Sequence, residues 1–167
     1  MYTQMKRSRT QSPSNTGGDQ TKDNKYKRSG QIVFRMPKFK EFSEGRGPKE
    51  VLSEPVVYIN GLPWRIKIKH WDAYVSFIVK CCGDENDMTW NCLANVKFVI
   101  VSCKKSSERL GQREGHDVFN AIVASRGWNQ FIKFGELMDP KNGFYDKRED
   151  TVTFKAEVVA EEPIGMP

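Results

Sequence analysis

The sequence predicts an antiparallel β-sandwich, on three observations. Runs of alternating apolar and polar residues recur about every 8–12 residues, with turn dipeptides between them. The last run is unbroken. Val152, Phe154, Ala156, Val158 and Ala160 fall on one face, and Thr151, Thr153, Lys155 and Glu157 on the other. That period of two marks a half-buried strand. Helical spacing is confined to one short stretch around Phe131, Ile132, Phe134, Leu137 and Met138. Many strands and little helix place the chain among all-β architectures.

Taken in order, residues 1–30 are rich in Ser, Thr, Gln, Asn, Gly and Lys and nearly free of apolar residues. They form a disordered basic tail, because such a segment buries too little to offset its ordering entropy. A strand begins near Gln31, with Ile32, Phe34 and Met36 alternating with Val33 and Arg35, and Pro37 ends it. Residues 43–50 are a loop. A second strand over 55–60 turns at Asn60-Gly61, since both residues tolerate positive φ. Trp64, Ile66 and Ile68 then alternate with Arg65, Lys67 and Lys69. Residues 73–82 set Val75, Phe77 and Val79 opposite Tyr74, Ser76 and Ile78, before a polar turn at 83–87. Residues 89–103 are one long strand, or two with a bulge, carrying Trp90, Cys92, Phe98 and Ile100. A charged, mobile loop over 104–116 leads to a strand at 117–123. A connecting segment carrying Trp128 leads to a short helix over 129–138 and a loop over 139–143. Trp64, Trp90, Phe98 and Phe154 sit at inward phases and belong to the core. The ordered domain is expected over 31–165.

Charge is uneven. The net charge is +6, yet residues 1–30 hold seven Lys or Arg against Asp19 and Asp23. The remainder holds 20 basic and 19 acidic residues. The folded part is therefore near neutral, with no basic stripe expected, so nucleic acid would be met only weakly and through the tail. Lys6-Arg7-Ser8-Arg9 and Lys25-Tyr26-Lys27-Arg28 are weak nuclear-import patterns, and Ser12-Pro13 is a common phosphorylation dipeptide. No apolar run approaches the roughly 18 residues of a membrane span, and no apolar leader follows Met1. The expected setting is nuclear or cytoplasmic, and the polar start at Met1 suggests a complete small protein.

No catalytic pattern is present. Vicinal Cys81-Cys82 with single Cys92 and Cys103 does not match zinc-ligand spacing, and His70 and His116 lie far apart. The cysteines read as small buried hydrophobes. Asp84, Glu85 and Asp87 lack the ligand order of a calcium loop, and neither a nucleophile elbow nor a phosphate-cradling loop appears. No metal, cofactor or catalytic residue is expected. The candidate functional residues lie around Trp128, which is either a groove wall or an aromatic packed down onto the sandwich. Arg126 beside it suits an acidic or phosphorylated ligand side chain.

Several separate blocks carry a family resemblance. Leu62-Pro63-Trp64-Arg65-Ile66, Trp90-Asn91-Cys92, Gly127-Trp128 with Phe131, Asp139 through Phe144, and Thr151-Val152-Thr153-Phe154 together resemble a MATH (TRAF-like) domain. The likeness is strongest to the TRAF-like domain of the large ubiquitin-specific protease and to nematode-type MATH and BTB-MATH proteins, and it includes the trailing Ala160–Gly165. The resemblance implies an eight-stranded antiparallel sandwich with a short helix. One sheet carries a groove in which extended peptides add to a strand edge. It places Ser125, Arg126, Gly127 and Trp128 in the groove loop, with Asn60, Tyr74 and Val96 at further groove positions. Gly127 and Trp128 match the family pattern, whereas Ser125 stands for an acidic residue and Arg126 for a Trp. The implied function is a non-catalytic adaptor binding a protein partner or an extended peptide. The alternative is the substrate-recruiting domain of a ubiquitin-pathway enzyme, either a deubiquitinase or a cullin-type ligase adaptor. With no heptad run for trimerisation, a monomer or a dimer through an edge strand is expected.

Overall fold

Alternation becomes architecture most directly in the strand Leu62–Trp71. Its Leu62, Trp64, Ile66 and Ile68 are fully buried while Pro63, Arg65, Lys67 and Lys69 stay partly exposed. The computed structural model describes residues 22–104 and 113–161. In chain order it contains α1 (Lys22–Lys25), β1 (Ser29–Met36), α2 (Phe39–Ser43), β2 (Glu50–Leu52), β3 (Val57–Ile59), β4 (Leu62–Trp71), β5 (Tyr74–Cys81), β6 (Asn91–Val101), β7 (Arg113–Asn120), β8 (Ser125–Lys133), α3 (Phe134–Leu137), β9 (Tyr145–Asp146) and β10 (Thr151–Ala160).

The strands form two antiparallel sheets. One runs β1-β10-β6-β7, with β9 paired to β10, and the other runs β2-β4-β5-β8, with β3 also paired to β4. Both β2 and β3 pair with β4, Glu50 opposite Lys69 and Ile59 opposite Leu62. They are one edge strand interrupted at Ser53–Val56. Counted so, and leaving aside the two-residue β9, the architecture is the expected eight-stranded sandwich, four long strands to each sheet. Ser53 holds the interruption together, its hydroxyl accepting from the Ile66 amide at 2.8 Å and its carbonyl accepting from Arg65 Nε at 2.9 Å.

The core is a layer of aromatics between the sheets. Phe77 on β5 meets Phe98 of β6, Phe131 of β8 and Phe154 of β10 at ring-centroid distances of 5.1, 5.1 and 5.2 Å, all near edge-to-face. Trp64 packs edge-on against Phe119 at 5.0 Å. Trp64, Trp90, Phe98 and Phe154 are all buried, as their phases predict. A second cluster of Phe39, Phe42 and Phe134 caps one end of the sandwich, with His70 stacked on Phe134 at 4.5 Å.

Several local expectations are corrected. The segment 129–138 is not a helix. Residues up to Lys133 belong to β8, and only α3 is helical. Phe131 and Ile132 are consecutive and both buried because β8 bulges, and a bulge breaks the period of two in a way that imitates helical spacing. Trp128 is likewise in a strand rather than a connecting segment. The turn of α2 before the 43–50 loop was not legible. It buries Phe39 and Phe42, and the Lys40 amide donates to Asp150 Oδ1, 110 residues away, at 2.9 Å. Strand β2 starts at Glu50, inside the expected loop, and β1 starts at Ser29 rather than Gln31. Strand β7 spans 113–120 rather than 117–123, and His116 lies within it. Cys81 and Cys92 are buried as expected, but Cys82 is half-buried and Cys103 exposed. Expectations for residues 1–21, for 105–112 of the charged loop and for 162–165 lie outside the described residues. Among the described residues no helix is long and apolar enough to cross a membrane.

Phe77 touches aromatics from three other strands, so its loss leaves a cavity that both sheets line. Phe77→Ala is expected to cost about 3–5 kcal/mol, read as a lower urea midpoint at unchanged slope.

Candidate functional site

Strand β8 ends the order of its sheet, so among the described residues it has a strand neighbour on one side only, β5. Its other edge is where backbone N–H and C=O groups face outward. Pairing with β5 is irregular. Trp128 opposes Phe77 and Ile132 opposes Val75, so Asn129, Gln130 and Phe131 span the place of the single residue Ser76. The buried Ser76 hydroxyl donates to the Asn129 carbonyl at 2.8 Å and ties the bulge down.

The register then places each candidate. Ser125 stands opposite Lys80, Arg126 opposite Val79, Gly127 opposite Ile78, Trp128 opposite Phe77, and Tyr74 opposite Lys133. Directly opposed residues share a face. Trp128 therefore points inward with Phe77, where it is half-buried and packs against the core. Of the two readings of Trp128, the packed-down aromatic describes its position. Arg126 also starts inward but reaches the rim, where Nε donates to the Val118 carbonyl of β7 at 3.3 Å and links the two sheets at their edges. Tyr74 faces outward beside Lys133, whose Nζ is 6.0 Å from the ring centroid.

Gly127 marks the closest approach of the two strands. A Cβ there would lie 2.3 Å from the Phe77 carbonyl oxygen and 2.6 Å from Ile78 Cα. No side chain fits without moving backbone, which is the physical reason for glycine at this point.

The structure thus gathers Tyr74, Ser125, Arg126, Gly127 and Trp128 on the β5–β8 pair. It does not bring Val96 to them, and it sets Asn60 at the opposite end of β4 from Tyr74. Asn60 is at the β3–β4 turn with φ 52°, mostly buried. Its Nδ2 donates to the Glu161 carbonyl at 2.7 Å, and its amide donates to Lys27 at 2.7 Å. The ten residues of β4 separate that turn from the end that pairs with Tyr74, a span of roughly 30 Å at ~3.3 Å per residue. Val96 is on β6 in the other sheet, opposite Val158 and Gly115, and is 3% exposed in the core.

One surface escaped the sequence reading. The outward residues of β4 and β5 share rows: Arg65 with Lys80, Lys67 with Ile78, Lys69 with Ser76. The expectation that the folded part lacks a basic stripe is corrected, because a near-neutral sum conceals the segregation of charge onto this sheet. The signal was present in the alternation of Arg65, Lys67 and Lys69. Only the strand order sets Lys80 beside them.

Activated nucleophiles do not emerge. Burial pushes the thiols of Cys81, Cys82 and Cys103 up, and that of Cys92 up to about 11. A thiol raised this way is a poor thiolate source at neutral pH. Among the described residues no cluster of three or more His, Cys, Asp or Glu could hold a metal. The arrangement offers an edge and a face for association.

Comparison with known proteins agrees with that geometry. Residues 31–158 match the family model of the MATH domain, a protein-interaction module. The chain is 24% identical over 148 residues to ubiquitin carboxyl-terminal hydrolase 7 of Drosophila melanogaster, covering 89% of this chain and 12% of that protein. It is 26% identical over 144 residues to BTB and MATH domain-containing protein 38 of Caenorhabditis elegans, covering 82% of this chain and 34% of that protein. The chain therefore spans only a small part of the first relative and about a third of the second.

Two stability measurements test these placements. Gly127→Ala is expected to cost about 1–3 kcal/mol through overpacking, read by urea unfolding. Asn60→Ala loses a buried hydrogen bond and the greater tolerance of Asn for the left-handed region, at a cost of about 1–2 kcal/mol. Asn60→Gly should recover part of that loss, because glycine accepts φ 52° freely.

Proposed function

The chain belongs to the MATH domain family, and on that premise we propose that it is a non-catalytic interaction module that takes an extended segment of a partner protein along β8 and the adjoining outer face. The sandwich that begins with β1 at Ser29 is the module, and the basic segment before it is an arm appended to it. The observation that carries this reading is the position of β8. It is a sheet edge, so it can add a strand. Its Gly127 keeps side-chain bulk away from the row it shares with Ile78. Tyr74 beside it supplies an aromatic with a polar tip, a residue type suited to ordered contacts at low entropic cost. A single short groove buries less than a standard interface, so the affinity expected is roughly micromolar.

A second reading draws on the relatives' names. One is a ubiquitin hydrolase and the other couples a MATH domain to a BTB domain, and each is far longer than the matched region. In this reading the chain is the substrate-recruiting part of a ubiquitin-pathway protein. The binding surface is the same, and the readings differ in what the captured partner is delivered to.

The test is affinity purification from the native source, comparing wild-type protein with a Tyr74→Ala, Arg126→Glu double variant by mass spectrometry. Trp128 is left intact because it packs on the core, and truncating it would confound binding with stability. The double variant should keep its melting temperature to within a few degrees and lose its specific partners. Identical partner lists would move binding away from β8. Ubiquitin-pathway components among the specific partners would favour the second reading.

A further inference from the structure

The outer face of the sheet β2-β4-β5-β8 carries an ordered charge pattern. Trp64, Ile66 and Ile68 are buried at 0% exposure, which commits Arg65, Lys67 and Lys69 to the opposite, outward face of β4. Residues two apart on a strand are about 6.7 Å apart, so these three cations form a line about 13 Å long. Lys80 stands directly beside Arg65 in the next strand. Two acids border the line. Glu50 is opposite Lys69, and Glu54 Oε2 is 3.9 Å from Arg65 Nη2 with its own side chain 80% exposed. Cations outnumber acids, and so exposed an ion pair is easily exchanged.

Two details sharpen the picture. Arg65, Lys67 and Lys80 all act on the Cys82 thiol in the lowering direction, against the larger upward push of burial, so all three cations lie within electrostatic reach of it. Like charges directly opposite in a sheet are also destabilising. The Arg65–Lys80 row therefore costs the free chain something that an anionic ligand would relieve.

We propose that this face binds an acidic extended segment with anionic side chains, carboxylate or phosphate, at alternate residues. The proposal rests on the interaction-module reading above and adds to it the charge and spacing of the ligand. The physical reason is a match of repeats. An extended peptide presents residues i, i+2 and i+4 on one side at the same spacing of about 6.7 Å, so three acids meet Arg65, Lys67 and Lys69 in register. A block of three consecutive acids points alternate groups away. A protein segment is favoured over a nucleic acid because a sheet edge lies within the same sheet at β8. Of the large aromatics on this face, Trp71 and Tyr74 share one row at one end of the line and Tyr58, opposite Pro63 and under Lys25, stands at the other, so none lies between the cations as a base-stacking platform requires.

The experiment is fluorescence anisotropy with the full 167-residue chain and labelled decapeptides. The probes carry three Glu at alternate positions, the same three Glu in a block, three Gln at alternate positions, or three phosphoserines at alternate positions. A ten-residue oligo-dT is the nucleic-acid arm. The alternate-Glu peptide should bind at least tenfold tighter than its Gln version and about threefold or more tighter than the block. The phosphoserine arm shows which anion the face prefers, and tighter binding of either form over Gln supports the proposal. Lys67→Glu with Lys69→Glu should weaken binding at least tenfold. Lys67→Gln with Lys69→Gln provides the same comparison should the reversed charges disturb folding. Binding of the Gln peptide as tight as that of both the Glu and the phosphoserine peptides overturns the proposal. So does binding unchanged in both lysine variants, which would assign the anion affinity to the basic tail, and so does tighter, lysine-dependent binding of oligo-dT. Peptide binding lost in the lysine variants while the Tyr74→Ala, Arg126→Glu variant keeps its partners would sink the β8 reading and leave this one standing. The reverse pattern would do the opposite.

Discussion

Phe77 is the residue on which the rest of the structure depends. It sits on β5, an interior strand of its sheet, and its ring meets Phe98 and Phe154 of the facing sheet and Phe131 of its own edge strand. Those contacts tie β6 and β10 to β5 and hold β8 against it. Burying aromatic rings edge-to-face adds specific geometry to the non-directional force of burial. The site inherits that geometry, because every residue on the outward side of β5 is placed by what its neighbours do on the inward side.

The bulge in β8 is the second determinant. By setting three residues against Ser76, it lets Trp128, Phe131 and Ile132 all reach the core from one edge strand. A regular strand would have sent one of them to solvent. The same irregularity accompanies the close approach at Gly127 and the hydrogen bond from Ser76 to Asn129. Edge strands invite unwanted pairing. This one is interrupted by its bulge and linked by Arg126 to the edge of the other sheet, and both limit regular pairing.

Charge follows the same logic of faces. Two groups of acids in the described sandwich lie in or beside turns, Asp84, Glu85 and Asp87 in one and Asp146, Glu149 and Asp150 in the other. The cations of β4 and β5 lie side by side on one sheet. A net charge cannot reveal that separation. A surface with a local field can attract and orient a partner even where the sum is near zero.

By itself the sequence determined the fold class, the inward and outward faces of β1, β4, β5 and β10, the aromatic core, and the turn at Asn60-Gly61. In each case the signal is local: a period of two or a residue that tolerates positive φ is a property of neighbours in the chain. It also carried enough family pattern, in the blocks around Leu62-Pro63-Trp64 and Gly127-Trp128, to identify the MATH resemblance. What only the tertiary structure decided is which strands lie side by side. Strand order removed Val96 to the opposite sheet's core and fixed Asn60 at a turn far from Tyr74. It turned the first half of the expected helix over 129–138 into an edge strand and brought Lys80 beside Arg65. None of these is encoded in a local pattern, because each depends on pairing between residues far apart in sequence, and a single bulge is enough to change which face a residue joins.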